Sequence, residues 1–228
     1  MKARATAAIA LPFVFFAVAF FASPFGTLGN LTLMPGNIGD ARLNNYFLEN
    51  IYLFFSEGST SLWSPSFFYP FPYILGFSDN LFGAAPIYAV ARWISGEPDT
   101  AFQIWFLFAY LVNFVSARYA LKRLAISDLG ASIGALIFTF ALPVTAHAGH
   151  AQLHYRFGLP LALAFFTNFL VEKRWRLLLA ACAWTIWQFY CGIYVGFFTV
   201  LLLGAQSLVY LLVQLTSREG ISAISWRN

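Results

Sequence analysis

The sequence predicts an all-α, polytopic transmembrane protein of about six spans, with a long first external loop that carries interfacial helices. Three observations lead there: the composition, apolar runs of membrane length, and the placement of basic residues between those runs. Hydrophobic residues make up 60% of the 228 positions and charged residues only 10%. A soluble domain carries about 25% charged residues. The chain also holds 27 Phe, 11 Tyr and 7 Trp, more apolar surface than one water-facing core can bury. The net charge of +4 does not indicate a nucleic-acid partner, because the basic residues sit in short clusters between apolar runs. Cys182 and Cys191 both fall in apolar helical sequence, so no structural disulfide is expected.

The first span covers about 7–25, with Lys2 and Arg4 before it and Pro12 inside it. A cleaved signal peptide is the alternative there, since Ala22-Ser23 resembles a cleavage region; the apolar run is long for such a peptide. Further spans cover about 101–119, 129–146 and 153–171. From Trp175 to Leu215 the chain is almost free of charge, too long for one helix of about 20 residues across a 30 Å hydrocarbon core. A fold-back near Tyr190-Cys191-Gly192 gives spans of about 175–189 and 193–215.

Charge tests this layout independently. Lys2 and Arg4 precede span one, and Arg118, Lys122 and Arg123 follow span two. Lys173, Arg174 and Arg176 separate spans four and five, and Arg218 and Arg227 follow span six. These are ten of the thirteen basic residues, and all fall on one side. The positive-inside rule makes that side cytoplasmic. The sequence thus predicts a multi-pass protein of the cytoplasmic (inner) membrane, termini inside, with 26–98, 147–154 and 190–192 outside.

The external loop has its own pattern. Leu43, Phe47, Leu48, Ile51, Tyr52 and Phe55 recur at helical spacing over 41–56, the mark of an amphipathic helix lying along the interface. Between Ser61 and Tyr73, Pro65, Pro70 and Pro72 exclude a regular helix. The aromatics of that stretch suit the headgroup level, a sugar or a prenyl chain. Ser78-Asp79 then caps a second short helix to about 94, with Pro86 as a bend.

Candidate functional residues cluster at the outer ends of spans. Asp40 follows span one, where an unpaired carboxylate faces water or serves a site. It can act as a general base, as a metal ligand, or as the cap of the 41–56 helix. Arg42 can fix that carboxylate or hold a phosphate; a solvent-facing arginine is the alternative. Glu49, nine residues on, is placed on a broadly similar face and joins the candidate binding set. Asp79-Asn80 are second acids or caps. His147, His150 and His154 bracket the turn before span four, and His150 and His154 share a face if the helix has begun. Completed by an acid such as Asp40, His150 can bind a metal, or the pair can hold phosphate beside Arg156. Histidines satisfied by water and headgroups are the alternative. No His-Glu-x-x-His or Cys pair is present, which disfavours a zinc protease. Gln103, Asn113, Gln188 and Tyr190 either line the outer cavity or bond neighbouring helices.

These features together resemble the multispan GT-C glycosyltransferases, near the YfhO-like and dolichyl-mannosyltransferase-like bacterial membrane proteins. The likeness rests on span one followed by Gly39-Asp40, two interface helices in one loop, the run from Leu62-Trp63-Ser64-Pro65 through Phe77-Ser78-Asp79-Asn80, and Gly149-His150-Ala151-Gln152. It implies transfer of a sugar from a polyprenyl-phosphate donor to an acceptor on the external face. Asp40 would be the acidic residue at the reaction centre, with Mg²⁺ or Mn²⁺ as a possible cofactor. The expected partners are that donor and membrane lipids. Many such enzymes have more spans, so the chain reads as an N-terminal portion. The rival classes are a transporter or flippase of a lipid-linked or small polar substrate, which would show an internal repeat or charges deep in the spans, and a non-enzymatic assembly protein.

Overall fold

The computed structural model describes residues 12–36, 38–141, 146 and 149–225, with side chains through Thr216. His147, Asn37, Lys2, Arg4, the first part of span one and 142–145 lie outside the described residues, as do the side chains of Arg218 and Arg227. The chain is 75% helix, with no strand among the described residues. In chain order the helices are α1 (Pro12–Phe25, closing in a π-turn over Phe21–Phe25), α2 (Asp40–Glu57), α3 (Ala85–Ser95), α4 (Pro98–Arg123), α5 (Asp128–Phe140), α6 (Gly158–Glu172), α7 (Trp175–Cys191) and α8 (Ile193–Ser225). Two of them, Pro98–Arg123 and Ile193–Thr216, are long and apolar enough to cross a membrane.

α4 is the central pillar. It is apolar on all sides, which suits a helix surrounded by others, and 67% of its apolar stretch is buried against 17% for α8. Ala101, Ala109, Ala117 and Ala120 are fully or almost fully buried, and such small residues let helices approach closely. Phe16 of α1 packs on Phe114 of α4 and Phe140 of α5, with ring centroids 4.8 and 5.5 Å apart. Ser127 caps α5 by accepting the Gly130 N–H at 3.2 Å, and Asp128 pairs with Arg118 and Lys122 of α4, each at 3.2 Å. α7 and α8 part at Gly192, where the sequence predicts a fold-back.

Two helices begin later than the sequence predicts. The expected span over 153–171 becomes helical only at Gly158. The preceding segment is a short 3₁₀ turn, Ala151–Leu153, and an irregular stretch. Side-chain amides satisfy that irregular backbone. Asn113 of α4 donates to His154 O (2.7 Å) and accepts from Arg156 N (3.0 Å). Gln188 of α7 donates to Tyr155 O (2.7 Å) and accepts from Gly158 N (3.0 Å). Buried backbone groups need such partners. Likewise the helix expected from about 79 begins at Ala85, because Asp79 is engaged elsewhere and Leu81 has a φ of 58°. Ser78-Asp79 therefore do not cap it, and Pro86 sits in its first turn rather than at a bend.

The loop between α2 and α3 is clamped to the α7–α8 turn. Gly83 N donates to Tyr190 O at 2.8 Å, and Trp187 Nε1 donates to Gly83 O at 3.1 Å. Trp105 Nε1 holds the next carbonyl, Ala84 O, at 3.1 Å. A Cβ at Gly83 would stand 2.6 Å from Cys191 Sγ and 3.0 Å from Trp187 O. Gly83→Ala should therefore cost about 1–3 kcal/mol, the usual range for overpacking, and loosen this clamp. With the exposed Cys182 replaced by Ser, alkylation of the buried Cys191 should be faster in the variant than in its parent at the same temperature.

Candidate functional site

Asp40 is the first residue of α2, and Gly39 occupies the capping position with no side-chain cap bond. The expectation that Asp40 caps its own helix is corrected accordingly: its carboxylate turns outward to another part of the chain. Asp40 Oδ2 lies 2.6 Å from His150 Nδ1 and accepts from Gln152 Nε2 at 3.2 Å. Gln152 is itself oriented, since its Oε1 accepts from Asn44 Nδ2 at 2.8 Å. Asn44 is four residues after Asp40 and so on the same helical face. The bonds from His150 and Gln152 hold the Asp40 carboxyl below the usual carboxylate range, and the amide end of a helix favours the anion further. The Asp40 and His150 side chains are 45% and 48% exposed, so the pair is open to solvent.

A second carboxylate stands at the same end. Asp79 is 9% exposed, and its Oδ1 accepts from Ile193 N at 2.6 Å, the first amide of α8. Burial pushes its carboxyl up, against the lowering effect of the Ile193 bond, and the nearby charge of Asp40 adds to the rise. The two carboxyls are thus driven in opposite directions, an arrangement that separates a proton donor from an ionised group. Gly192 joins them: a Cβ there would lie 2.6 Å from Gln152 O and 3.9 Å from Asp79 Oδ1. The α7–α8 turn consequently rests on the backbone of the residue that holds Asp40.

Other predicted residues go elsewhere. His150 and His154 do not share a helical face, because α6 has not begun at either. His154 is 3% exposed, with its ring against Phe106 and Tyr110 at centroid distances of 4.1 and 5.6 Å. Arg156 donates from Nη2 to Phe138 O (3.0 Å) and lies over the Phe138 ring; the expected phosphate set of His150, His154 and Arg156 is not assembled. Glu49 faces away from Asp40. Nine residues at about 100° each end half a turn off, and Glu49 meets Arg92 Nε (3.0 Å) and Tyr88 OH (2.7 Å) of α3. Arg42 is exposed and makes no ion pair among the described residues, so it does not clamp Asp40. Asn113 and Gln188 bond backbone rather than line a cavity.

The donor set does not fit Mg²⁺ or Mn²⁺. Asp40 and His150 bond each other directly, and among the described residues no three His, Cys, Asp or Glu side chains converge. Such ions take six ligands, mostly oxygens. Sequence reasoning missed Gln152 and Asn44 as site residues. Asn44 carried a signal in its four-residue spacing from Asp40; Gln152 stood in the Gly149-His150-Ala151-Gln152 run, where nothing singled out its own side chain. No protein-family model matches the chain, no curated protein is significantly similar to it, and no solved structure matches its fold.

The Asp79 contact yields a signed pH dependence. Folding raises its pKa, so the folded state holds that proton more tightly than the unfolded chain, and stability falls as pH rises through the folded value. Asp79→Asn keeps an acceptor for Ile193 N–H and never ionises. Its melting temperature relative to wild type should therefore improve from acid to neutral pH. At acid pH, Asp79→Ala should cost about 0.5–2 kcal/mol, the usual loss of a helix cap.

Proposed function

We propose that the chain is a six-span, multi-pass protein of the cytoplasmic membrane with both termini inside, and that it is a glycosyltransferase or part of one. In this reading it moves a sugar from a polyprenyl-phosphate donor to an acceptor on the external face. The observation that carries the reading is the 2.6 Å contact between Asp40 and His150, an exposed pair built from two segments at the loop-bearing end of the bundle. The acceptor hydroxyl gives its proton to this pair as its oxygen attacks the anomeric carbon, and the bond to the donor phosphate breaks with its electrons leaving on the phosphate. Gln152 and Asn44 keep the carboxylate aimed throughout. Arg42, exposed and two residues from Asp40, meets the phosphate.

The loop supplies a place for the donor's hydrocarbon. Leu43, Phe47, Phe67, Phe71, Ile74 and Phe77 line an apolar groove of 620 Å³, and Leu43 is one helical turn from Asp40. Phe68, Tyr73 and Phe77 stand exposed beside it, as suits aromatics at a membrane interface.

Asp40→Asn tests the chemistry. Asn still accepts a bond from Gln152 but cannot hold a proton at neutral pH. Sugar transfer from a polyprenyl-phosphate donor, in membranes matched for protein level, should fall about 10²–10⁴-fold. Near-normal transfer by the variant refutes the assignment. Topology is checked separately on a background with Cys182 replaced. A membrane-impermeant thiol reagent applied to intact cells should label Ser59→Cys and spare Lys122→Cys; the reverse pattern removes the external site.

A further inference from the structure

A cleft on another face of α2 adjoins the apolar groove, sharing Phe71 and Pro72 with it, and is built differently. It has a volume of 530 Å³, within the range of about 300–1,000 Å³ typical of small-ligand sites. Its wall sets hydroxyls among apolar residues: Tyr46 and Asn50 of α2 and Ser61, Ser64 and Ser66 line it together with Leu53, Pro65, Pro70 and Pro72, and Tyr69 and Phe71 complete the lining. The loop bearing the serines is pinned. Asn50 Nδ2 donates to Ser61 O at 3.1 Å, Thr60 Oγ1 donates to Asn50 O at 3.1 Å, and Tyr46 OH and Ser66 Oγ are 3.0 Å apart. Ser61 Oγ and Ser64 Oγ each accept a backbone amide, from Ser64 at 3.2 Å and from Tyr73 at 2.9 Å. An oxygen fixed in that way still has its own O–H to give. The cleft therefore offers pre-positioned donors at little ordering cost.

Charge narrows the ligand. The one ionisable carboxylate in the wall is Glu49, already paired with Arg92, and no Lys or Arg lines the cleft. A phosphate or carboxylate ligand would find no cation, and a metal ion or amine no uncommitted carboxylate. Tyr69 and Phe71 are 86% and 70% exposed, so their ring faces are available to stack on an apolar C–H face. Hydroxyl donors opposite bare aromatic rings suit a molecule with O–H groups on its edge and C–H groups on its face.

We propose that this cleft binds a neutral saccharide. It lies about 9–15 Å along α2 from Asp40, at 1.5 Å per residue for Tyr46 to Asn50, and is a site separate from the Asp40–His150 pair. The binding itself does not require the transfer reaction. Its identification as the seat of a remote sugar unit of the acceptor rests on the function proposed above.

The test is direct binding. The full chain is placed in phosphatidylcholine nanodiscs, free of sugar-based detergent, and titrated with maltotetraose, cellotetraose and mannotetraose, with tetragalacturonate as the anionic comparator. At least one neutral tetrasaccharide should bind in preference to tetragalacturonate. Tyr69→Ala and Ser61→Ala should each weaken it about tenfold, while Ile137→Ala, at an exposed position of α5 outside the cleft, leaves it unchanged. Tyr69 is a surface side chain, so its removal spares the fold. Binding of no neutral probe, equal binding of tetragalacturonate, or affinity unchanged in both cleft variants overturns the proposal. Saccharide binding that persists when Asp40→Asn transfers normally would refute the reaction and leave the cleft standing.

Discussion

The arrangement depends on how this protein satisfies a stretch of non-helical backbone inside a helical bundle. Residues 154–158 run between helices with few backbone bonds of their own, from His154 N to Ala151 O and from Leu159 N to Arg156 O, and two side-chain amides supply further partners. Asn113 reaches it from α4 and Gln188 from α7, each donating to one backbone group and accepting from another. Tyr155 adds a bond from its hydroxyl to Trp105 O at 2.7 Å. Orphaned amides and carbonyls are costly away from water, so these bonds fix where α6 begins. That in turn fixes where His150 and Gln152 emerge, and hence what Asp40 can touch.

A second set of contacts sets the orientation of the segment between α1 and α4. Gly83 is held between Tyr190 and Trp187, Ala84 by Trp105, and Asp79 by the first amide of α8. These fasten the start of α3 to the α7–α8 turn. The Glu49–Arg92 pair and the Tyr88 hydroxyl then fasten α2 to α3. α2 is thereby placed with Asp40 and Asn44 toward the bundle end, while Tyr46 and Asn50 face the serine-bearing loop. One helix thus serves the Asp40–His150 pair on one face and the hydroxyl-bearing cleft on another.

The two aspartates illustrate how environment divides similar groups. Asp40 is half exposed, with its oxygen bonded by an imidazole and an amide, and stays ionised. Asp79 is nearly buried, with one amide partner and a like charge nearby. Gly192 and the Gln152 backbone lie between them, so a shift of the α7–α8 turn would be felt at both carboxylates.

Much of the local structure was legible in the sequence. The all-α class follows from apolar runs and helical spacing, and α2 from the recurrence of Leu43, Phe47, Ile51 and Phe55. The break at Gly192 follows from a run too long for one helix, and the irregular 61–73 stretch from its prolines. Each is set by interactions within a few residues or by composition. That Asp40 and His150, 110 residues apart, belong to one site was expected from their places at the outer ends of two spans; that they bond each other directly, with Gln152 and Asn44 completing the set, was not legible, because those contacts depend on where distant segments cross. Periodicity also misled where tertiary bonds won. His150 and His154 looked like one helical face until Asn113 and Gln188 claimed the backbone, and Asp79 looked like the cap of α3 until Ile193 took its carboxylate. The sequence by itself determined that the chain is helical and roughly where its apolar helices lie, since those preferences are local. Only the tertiary structure decided which polar groups meet, because a side chain's partner is fixed by where distant helices begin and cross.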